Sequence, residues 1–304
     1  MNRLLRIVGL LVLFAASYLF FVYSMFPVHA IKDRVVGEIE KGLGPGYEIS
    51  IKDMGLGIFR GLTLKEVHLA RREQGQSVPL WDADKVSIRP SWIPALWGHY
   101  RVAFHLVSGK GDISGEVDRQ EPNWMVELRL KDVNLGQFPI LQATTGLKMQ
   151  SHIDGRIHFN FDPRQLLRSN GEVLIGLSDW IIQASDLKLG EMGSFPVPDL
   201  VLSKGKSKIE AKVDKGALSV ESLKLEGGDL MLDLKGKVYL SQEVSNYRMN
   251  LQGNFQMSPK FAESLSLVTA LIEKQKSEDG SYPLTLTGQF SKPNIKIGTF
   301  VLPF

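Results

Sequence analysis

Along most of the chain apolar and polar residues alternate with period two. In Lys208–Asp214, Ile209, Ala211 and Val213 face one way and Lys208, Glu210, Lys212 and Asp214 the other. Leu230, Leu232 and Leu234 likewise alternate with Met231, Asp233 and Lys235. Such runs predict strands with one dry and one wet face. Many of them, broken by Gly turns, predict an antiparallel, mostly β architecture.

A few segments depart from this period. Ile31, Val35, Ile39 and Leu43 recur every fourth residue and predict a short helix over 31–43, ended by Gly42, Gly44, Pro45 and Gly46. A second short helix is expected from Ser91, with Trp92, Ile93, Leu96 and Trp97 as its apolar cluster. Ser258-Pro259 reads as an N-cap and first-turn proline. The helix that follows, to about Lys276, carries Phe261, Leu265, Val268, Leu271 and Ile272 on one stripe. A further helical turn is expected around Phe138–Gln142, and Lys274–Ser281 reads as an exposed loop.

Residues 7–26 contain no charge over 20 positions. As a helix they span about 30 Å, the thickness of a bilayer's hydrocarbon core. Arg3 and Arg6 precede them, which orients residues 1–6 to the cytosol. The expected organisation is a cytosolic N-terminus (1–6), a transmembrane anchor (7–26) and an exported β-rich domain (27–304). The alternative is a signal peptide cleaved near Val28-His29-Ala30, with the same domain exported.

One local pattern recurs seven times: apolar-x-apolar-x-x-apolar-x-apolar. It occurs at Ile49/Ile51/Met54/Leu56, Leu62/Leu64/Val67/Leu69, Trp81/Ala83/Val86/Ile88 and Leu128/Leu130/Val133/Leu135. It returns at Ile182/Ala184/Leu187/Leu189, Phe195/Val197/Leu200/Leu202 and Leu218/Val220/Leu223/Leu225. The central pair is mostly polar, as in Lys65-Glu66 and Lys131-Asp132. A regular strand would change faces after the extra residue, whereas a β-bulge or bend keeps both apolar pairs on one face. Repeated bends predict a sheet curled into an elongated trough or half-barrel. A flat sheet folded into a sandwich is the other way to hide so much apolar surface. A second recurrence, Gly followed by alternating residues at Gly155, Gly171, Gly236, Gly253 and Gly288, predicts glycines where strands begin.

Composition narrows the chemistry. The 304 residues include no Cys, which excludes disulfides, thiolate metal sites and thiol catalysis. Arg3 and Arg6 supply two of the net +3 charges, and residues 1–26 hold no acid, which leaves +1 for residues 27–304. A body so nearly neutral offers no footprint for nucleic acid. The six His form no HxxxH or HExxH spacing. Ser185-Asp-Leu-Lys188 and Ser203-Lys-Gly-Lys206 match SxxK in strand or turn context, where Ser and Lys do not share a helix face. No catalytic, cofactor or metal-binding constellation is expected, and no cofactor.

The anchor ending at Phe26-Pro27, the helix that follows, Arg60-Gly-Leu-Thr-Leu-Lys-Glu-Val-His-Leu69 and Tyr282-Pro-Leu-Thr-Leu-Thr-Gly-Gln-Phe-Ser-Lys-Pro293 occur together in this order. This set resembles the type II secretion system protein N family (GspN), and its style is similar to that of AsmA-like inner-membrane proteins. The first resemblance implies a single-pass inner-membrane protein with its main domain in the periplasm, an accessory to the machine that exports folded proteins. Its implied partners are the inner membrane and other type II secretion components, at the secretin or the inner-membrane platform. The second implies an apolar concave face that binds or transfers phospholipid or another acyl lipid in envelope biogenesis. Neither brings catalytic residues. On the lipid reading the lining comes from the bent strands: Leu62, Leu64, Val67, Leu69, Leu130, Val133, Leu187, Leu189, Leu223 and Leu225. The same residues would otherwise be plain core.

Overall fold

The computed structural model describes residues 28–44, 46–57, 61–73, 76–91, 98–162, 164–188, 194–205, 207–241, 246–264, 266–290 and 292–301. The expected anchor at 7–26 and the cluster at Trp92, Ile93, Leu96 and Trp97 lie outside them. Among the described residues no helix is long and apolar enough to cross a membrane.

The chain opens with helix α1 (Val28–Leu43) and continues as β1 (Tyr47–Gly57), β2 (Gly61–Glu73), β3 (Gln76–Pro90), β4 (Tyr100–Ser108), β5 (Gly111–Gln120) and β6 (Asn123–Asn134). A 3-10 turn at Leu135–Gln137 leads into helix α2 (Pro139–Thr145), then β7 (Lys148–Asp162) and the long β8 (Gln165–Gln183). Short strands β9 (Ser185–Lys188), β10 (Ser194–Val197) and β11 (Leu200–Ser203) precede β12 (Ser207–Asp214), β13 (Ala217–Leu225), β14 (Leu230–Tyr239) and β15 (Arg248–Met257). Helices α3 (Pro259–Ser264) and α4 (Ser266–Ile272) then lead to β16 (Tyr282–Gln289), β17 (Lys292–Ile297) and β18 (Phe300–Val301).

The fold is mostly β: one long, curved, open antiparallel sheet with a few short helices. Its strand order is that of the chain from β1 to β8, and again from β12 to β18, with β12 paired directly to β8. β11 pairs with the far end of β8, and β9 and β10 form a separate hairpin. The single curved antiparallel sheet expected from the bends is present as a meander, in place of the alternative sandwich.

The recurring pattern takes two forms, and the reason is register. In β1, β2 and β3 it lies at the same level of all three strands, because Ile51 pairs with Val67 and Val67 with Ala83, while Met54 pairs with Leu64 and Leu64 with Val86. No register is lost there; the three strands bend together, with Glu66 in the left-handed region at φ 46. In β6 and β13 the pattern is a true bulge, and the register slips by one residue between Leu130 and Val133 and between Val220 and Leu223. Two copies are corrected. Ile182/Ala184/Leu187/Leu189 and Phe195/Val197/Leu200/Leu202 fall across breaks between strands, β8 to β9 and β10 to β11. One copy escaped notice in the sequence: Ile175/Leu177/Trp180/Ile182, where Asp179 sits at φ 49 and the β7–β8 register slips.

The glycines are also corrected. Gly155, Gly171, Gly236 and Gly253 lie inside strands rather than at their starts, and Gly288 lies next to the end of β16.

Helix α1 begins at Val28, three residues before the expected start and at the alternative cleavage site. Val36 packs on the core, whereas Leu43 at the end of the expected stripe is 40% exposed. Each four-residue step turns the face by about 40°, so such a stripe drifts off its neighbour. The C-terminal helix is not continuous: it divides into α3, α4 and a 3-10 turn at Glu273–Gln275. Its cap is as expected, with Ser258 Oγ accepting from the Phe261 N–H at 3.2 Å. Ile272 is 1% exposed but Leu271 is 62% exposed, about 100° further round the helix.

Candidate functional site

The registers assemble a single apolar face. One row of facing residues crosses fifteen strands: Met54, Leu64, Val86, Leu106, Ile113, Leu130, Gly155, Ile175, Ile209, Leu223, Leu234, Gly253, Leu284, Ile297 and Phe300. Every position is apolar or Gly. With strands about 4.8 Å apart the row measures roughly 67 Å along the sheet. A second row two residues away runs from Leu56 through Leu62, Ile88, Phe104, Gly115 and Leu128 to Leu286 and Ile295, again without a polar member. The glycines thus stand among the large apolar residues of the dry face. Bulky cross-strand neighbours fill the space, as at Gly115, where a Cβ would meet the Phe104 ring at 2.6 Å.

The opposite face is polar. A facing row runs Glu116, Glu127, His158, Glu172, Lys212, Ser219, Lys237 and Asn250. Cross-strand pairs lace this side: Lys52 with Glu66 at 2.6 Å, Lys65 with Asp53 at 2.8 Å, His68 with Asp82 at 2.7 Å and Lys212 with Glu221 at 2.9 Å. The Lys65 hydrogen bond holds the Asp53 carboxyl below the usual carboxylate range. These pairs are solvated and individually worth little; together they keep this face wet.

Coverage of the dry face is uneven. Under α1, Ile51, Met54, Leu64, Val67 and Ala83 form a buried cluster with Val36 packed on it. At the other end Phe255, Ile272, Tyr282 and Ile297 form a second, closed by α4, and Ile182, Leu200 and Leu202 a third against Phe261 of α3. Ala211, Val220 and Leu251 make a fourth. Between these ends, on β4 to β8 and at Ile209 where β12 begins to join them, a tract of the dry face is only half-buried, while Ala211 and Val213 of β12 are buried. Val102, Phe104, Ile113, Val117, Val126, Leu128, Leu130, Ile157, Phe159, Ile175 and Ile209 belong to none of the four clusters. Five strands and three rows give this tract a footprint of roughly 19 by 14 Å, about 270 Å². A patch of that size is comparable to the largest apolar patch of an ordinary monomer, which is often a functional surface.

The expected lining residues are dispersed over this landscape. Leu64 and Val67 are closed core under α1, with Leu62 packed against the same cluster. Leu69 is half-buried. Val133 and Leu225 are buried, and Leu223 packs against the Ala211 cluster. Only Leu130 lies in the uncovered tract. Leu187 belongs to the separate β9–β10 hairpin, and Leu189 lies outside the described residues. The tract itself comes from regular stretches of these strands on one side of their bends, such as Val126/Leu128/Leu130 and Ile157/Phe159. Their period-two signal was present in the sequence, but it does not distinguish a covered strand from an uncovered one.

One margin of the tract carries amphipathic side chains. The next dry-face row outward is Tyr100, Arg119, Trp124 and Phe161. The Arg119 guanidinium lies 5.4 Å from the centre of the Trp124 ring, and Phe161 stacks on Phe159 at 5.1 Å. Beside them is a cavity of about 460 Å³ lined by Arg119, Glu121, Pro122, Trp124, Asp162 and Arg164.

Among the described residues no group of three or more His, Asp or Glu is placed to hold a metal ion. No protein-family model matches this chain, no curated protein is significantly similar to it, and no solved structure matches it. What the geometry defines by itself is an open antiparallel β meander with one continuous apolar face, closed at both ends and uncovered in the middle.

Proposed function

We propose that this chain is a non-enzymatic, membrane-tethered β trough that holds the acyl chain of a lipid against its dry face. The observation that carries the reading is the half-buried apolar tract on β4 to β8, within a row free of polar residues across fifteen strands. Its length of about 19 Å exceeds the roughly 15 Å that one leaflet's acyl chains span in a bilayer. The bends at Glu66, Asp132 and Asp179 support a curled sheet with this face inward. The uncharged residues 7–26 support an inner-membrane anchor, with the sheet on the periplasmic side.

Type II secretion is the setting implied by the resemblance of Arg60–Leu69 and Tyr282–Pro293 to protein N of that system. There the trough serves as an accessory near the secretin or the inner-membrane platform.

The test is a photo-crosslinking residue at Leu128 or Ile157 in the full chain in cells, read for lipid and protein adducts. Lipid adducts are expected at both sites and not from Lys237 on the wet face. Protein adducts alone, with a lipid-free protein after mild detergent extraction, would overturn the acyl reading. Undiminished secretion of type II substrates after deletion would remove the secretion setting.

A further inference from the structure

We propose that the cavity at the margin of the tract binds a zwitterionic phospholipid headgroup, a phosphate ester joined to a primary ammonium. The inference rests on the acyl-chain reading above and specifies the ligand of that site.

The argument begins with position. Tyr100, Arg119, Trp124 and Phe161 continue the dry-face rows outward, so an acyl chain lying on Val126 and Phe159 leads directly to them. Trp and Tyr with an adjacent Arg are the side chains that suit a boundary between hydrocarbon and water. Tyr100 is 56% exposed, so the margin is open.

Charge then selects the headgroup. The cavity is lined by two cations, Arg119 and Arg164, and two carboxylates, Glu121 and Asp162. Arg119 is bound to Glu121 at 2.5 Å, while the Arg164 side chain makes no ion pair among the described residues. Asp162 is 3% exposed and accepts the Arg164 backbone N–H at 2.8 Å, which fixes its carboxylate at the wall. A phosphate takes the Arg164 guanidinium, and Arg119 can share it by a charge-assisted pair. As Arg119 turns to the phosphate it releases Glu121, and that carboxylate takes the ammonium. A headgroup with only negative charge would draw Arg119 from Glu121 and offer that carboxylate no cation in return.

The experiment uses the full chain in detergent, exchanged against vesicles of phosphatidylethanolamine, phosphatidylglycerol or phosphatidylcholine, with bound lipid counted by native mass spectrometry. A fluorescent fatty acid without a headgroup reports the apolar tract separately. Wild type should retain phosphatidylethanolamine at least fivefold over phosphatidylglycerol. Arg119→Ala/Arg164→Ala should lower phospholipid occupancy about tenfold and leave fatty-acid binding unchanged, and Glu121→Gln should erase the preference. Equal uptake of the three lipids, or no effect of the double change, overturns the headgroup site while fatty-acid binding preserves the acyl reading. Loss of fatty-acid binding in wild type overturns both. Soluble phosphoethanolamine binding as tightly as the lipid would assign the cavity to a soluble ligand and overturn the proposal.

Discussion

The ring of Phe104 on β4 lies over Gly115 on β5, so that a Cβ on the glycine would come within 2.6 Å of the ring and would press on the Glu127 carbonyl oxygen. A strand glycine usually leaves a gap in the packed face; here the neighbouring aromatic fills it and keeps the dry face continuous. Gly171 stands in the same relation to Phe159, whose ring a Cβ would meet at 2.9 Å.

Gly115→Ala should therefore destabilise the sheet, although alanine is apolar and small. Overpacking of this kind costs about 1–3 kcal/mol. Urea unfolding of the full chain in detergent should show the midpoint falling while the slope stays the same. A variant as stable as wild type would mean that Phe104 turns aside and the β5–β6 backbone at Glu127 gives way at little cost.

The bulge in β8 depends on Asp179 at φ 49. A β-branched residue tolerates that conformation poorly. Asp179→Val should cost about 1–3 kcal/mol, whereas Asp179→Gly should lie within about 1 kcal/mol of wild type. Equal loss in both would show that the carboxylate, and not the backbone, matters at this position.

Asp229 ties three elements together at the C-terminal end. Its Oδ2 accepts from the Val201 N–H at 3.0 Å and its Oδ1 from Ser258 Oγ at 2.9 Å, the residue that caps α3. The Val201 bond is the main reason the carboxyl titrates below its usual value of 3.8. A depressed carboxyl contributes stability above the unfolded value, and that contribution is lost as pH falls through the lower folded value. Stability in wild type should therefore drop below about pH 4 more steeply than in Asp229→Asn. At neutral pH that variant should lose about 1.5–3 kcal/mol, measured by denaturant titration.

Tyr282 gives the opposite sign. Burial, and then the hydrogen bond it donates to Glu273 at 3.1 Å, push its hydroxyl above the usual 10.0. The stability this neutral hydroxyl contributes is complete below the unfolded value and is lost as pH rises through the higher folded one. Loosening of the Phe255–Tyr282 cluster above pH 10 should be visible by near-ultraviolet circular dichroism, and Tyr282→Phe should abolish that alkaline transition.

Leu64 and Leu128 face the same way but should respond differently to charge. Leu64 is 3% exposed beneath α1, and Leu64→Asp should unfold the N-terminal end, at a cost of several kcal/mol. Leu128 is half-buried in the uncovered tract, so Leu128→Asp should cost under about 1.5 kcal/mol and still abolish lipid adducts. Equal destabilisation by the two would mean that the tract is ordinary core.

How much of this was legible beforehand differs by element. Period-two alternation identifies strands and their dry sides, as at Ile209/Ala211/Val213, because side-chain direction is a local property of an extended backbone. The extra residue in Lys65-Glu66, Lys131-Asp132 and Glu221-Ser222 identifies bends for the same reason. Helix ends were partly legible: the Ser258 cap is a short-range hydrogen bond, but the exposure of Leu43 and Leu271 depends on what each helix meets.

The sequence by itself determined that this is a two-faced antiparallel β protein with bent strands and an uncharged stretch long enough to span a bilayer. Only the tertiary structure decided that the bends of β1, β2 and β3 fall in line, that the apolar residues join into unbroken rows, and which of them lie open. Register and coverage are set between strands and helices far apart in the chain. Leu64 and Leu128 therefore carry the same local pattern, one as core beneath a helix and the other as the floor of an uncovered tract.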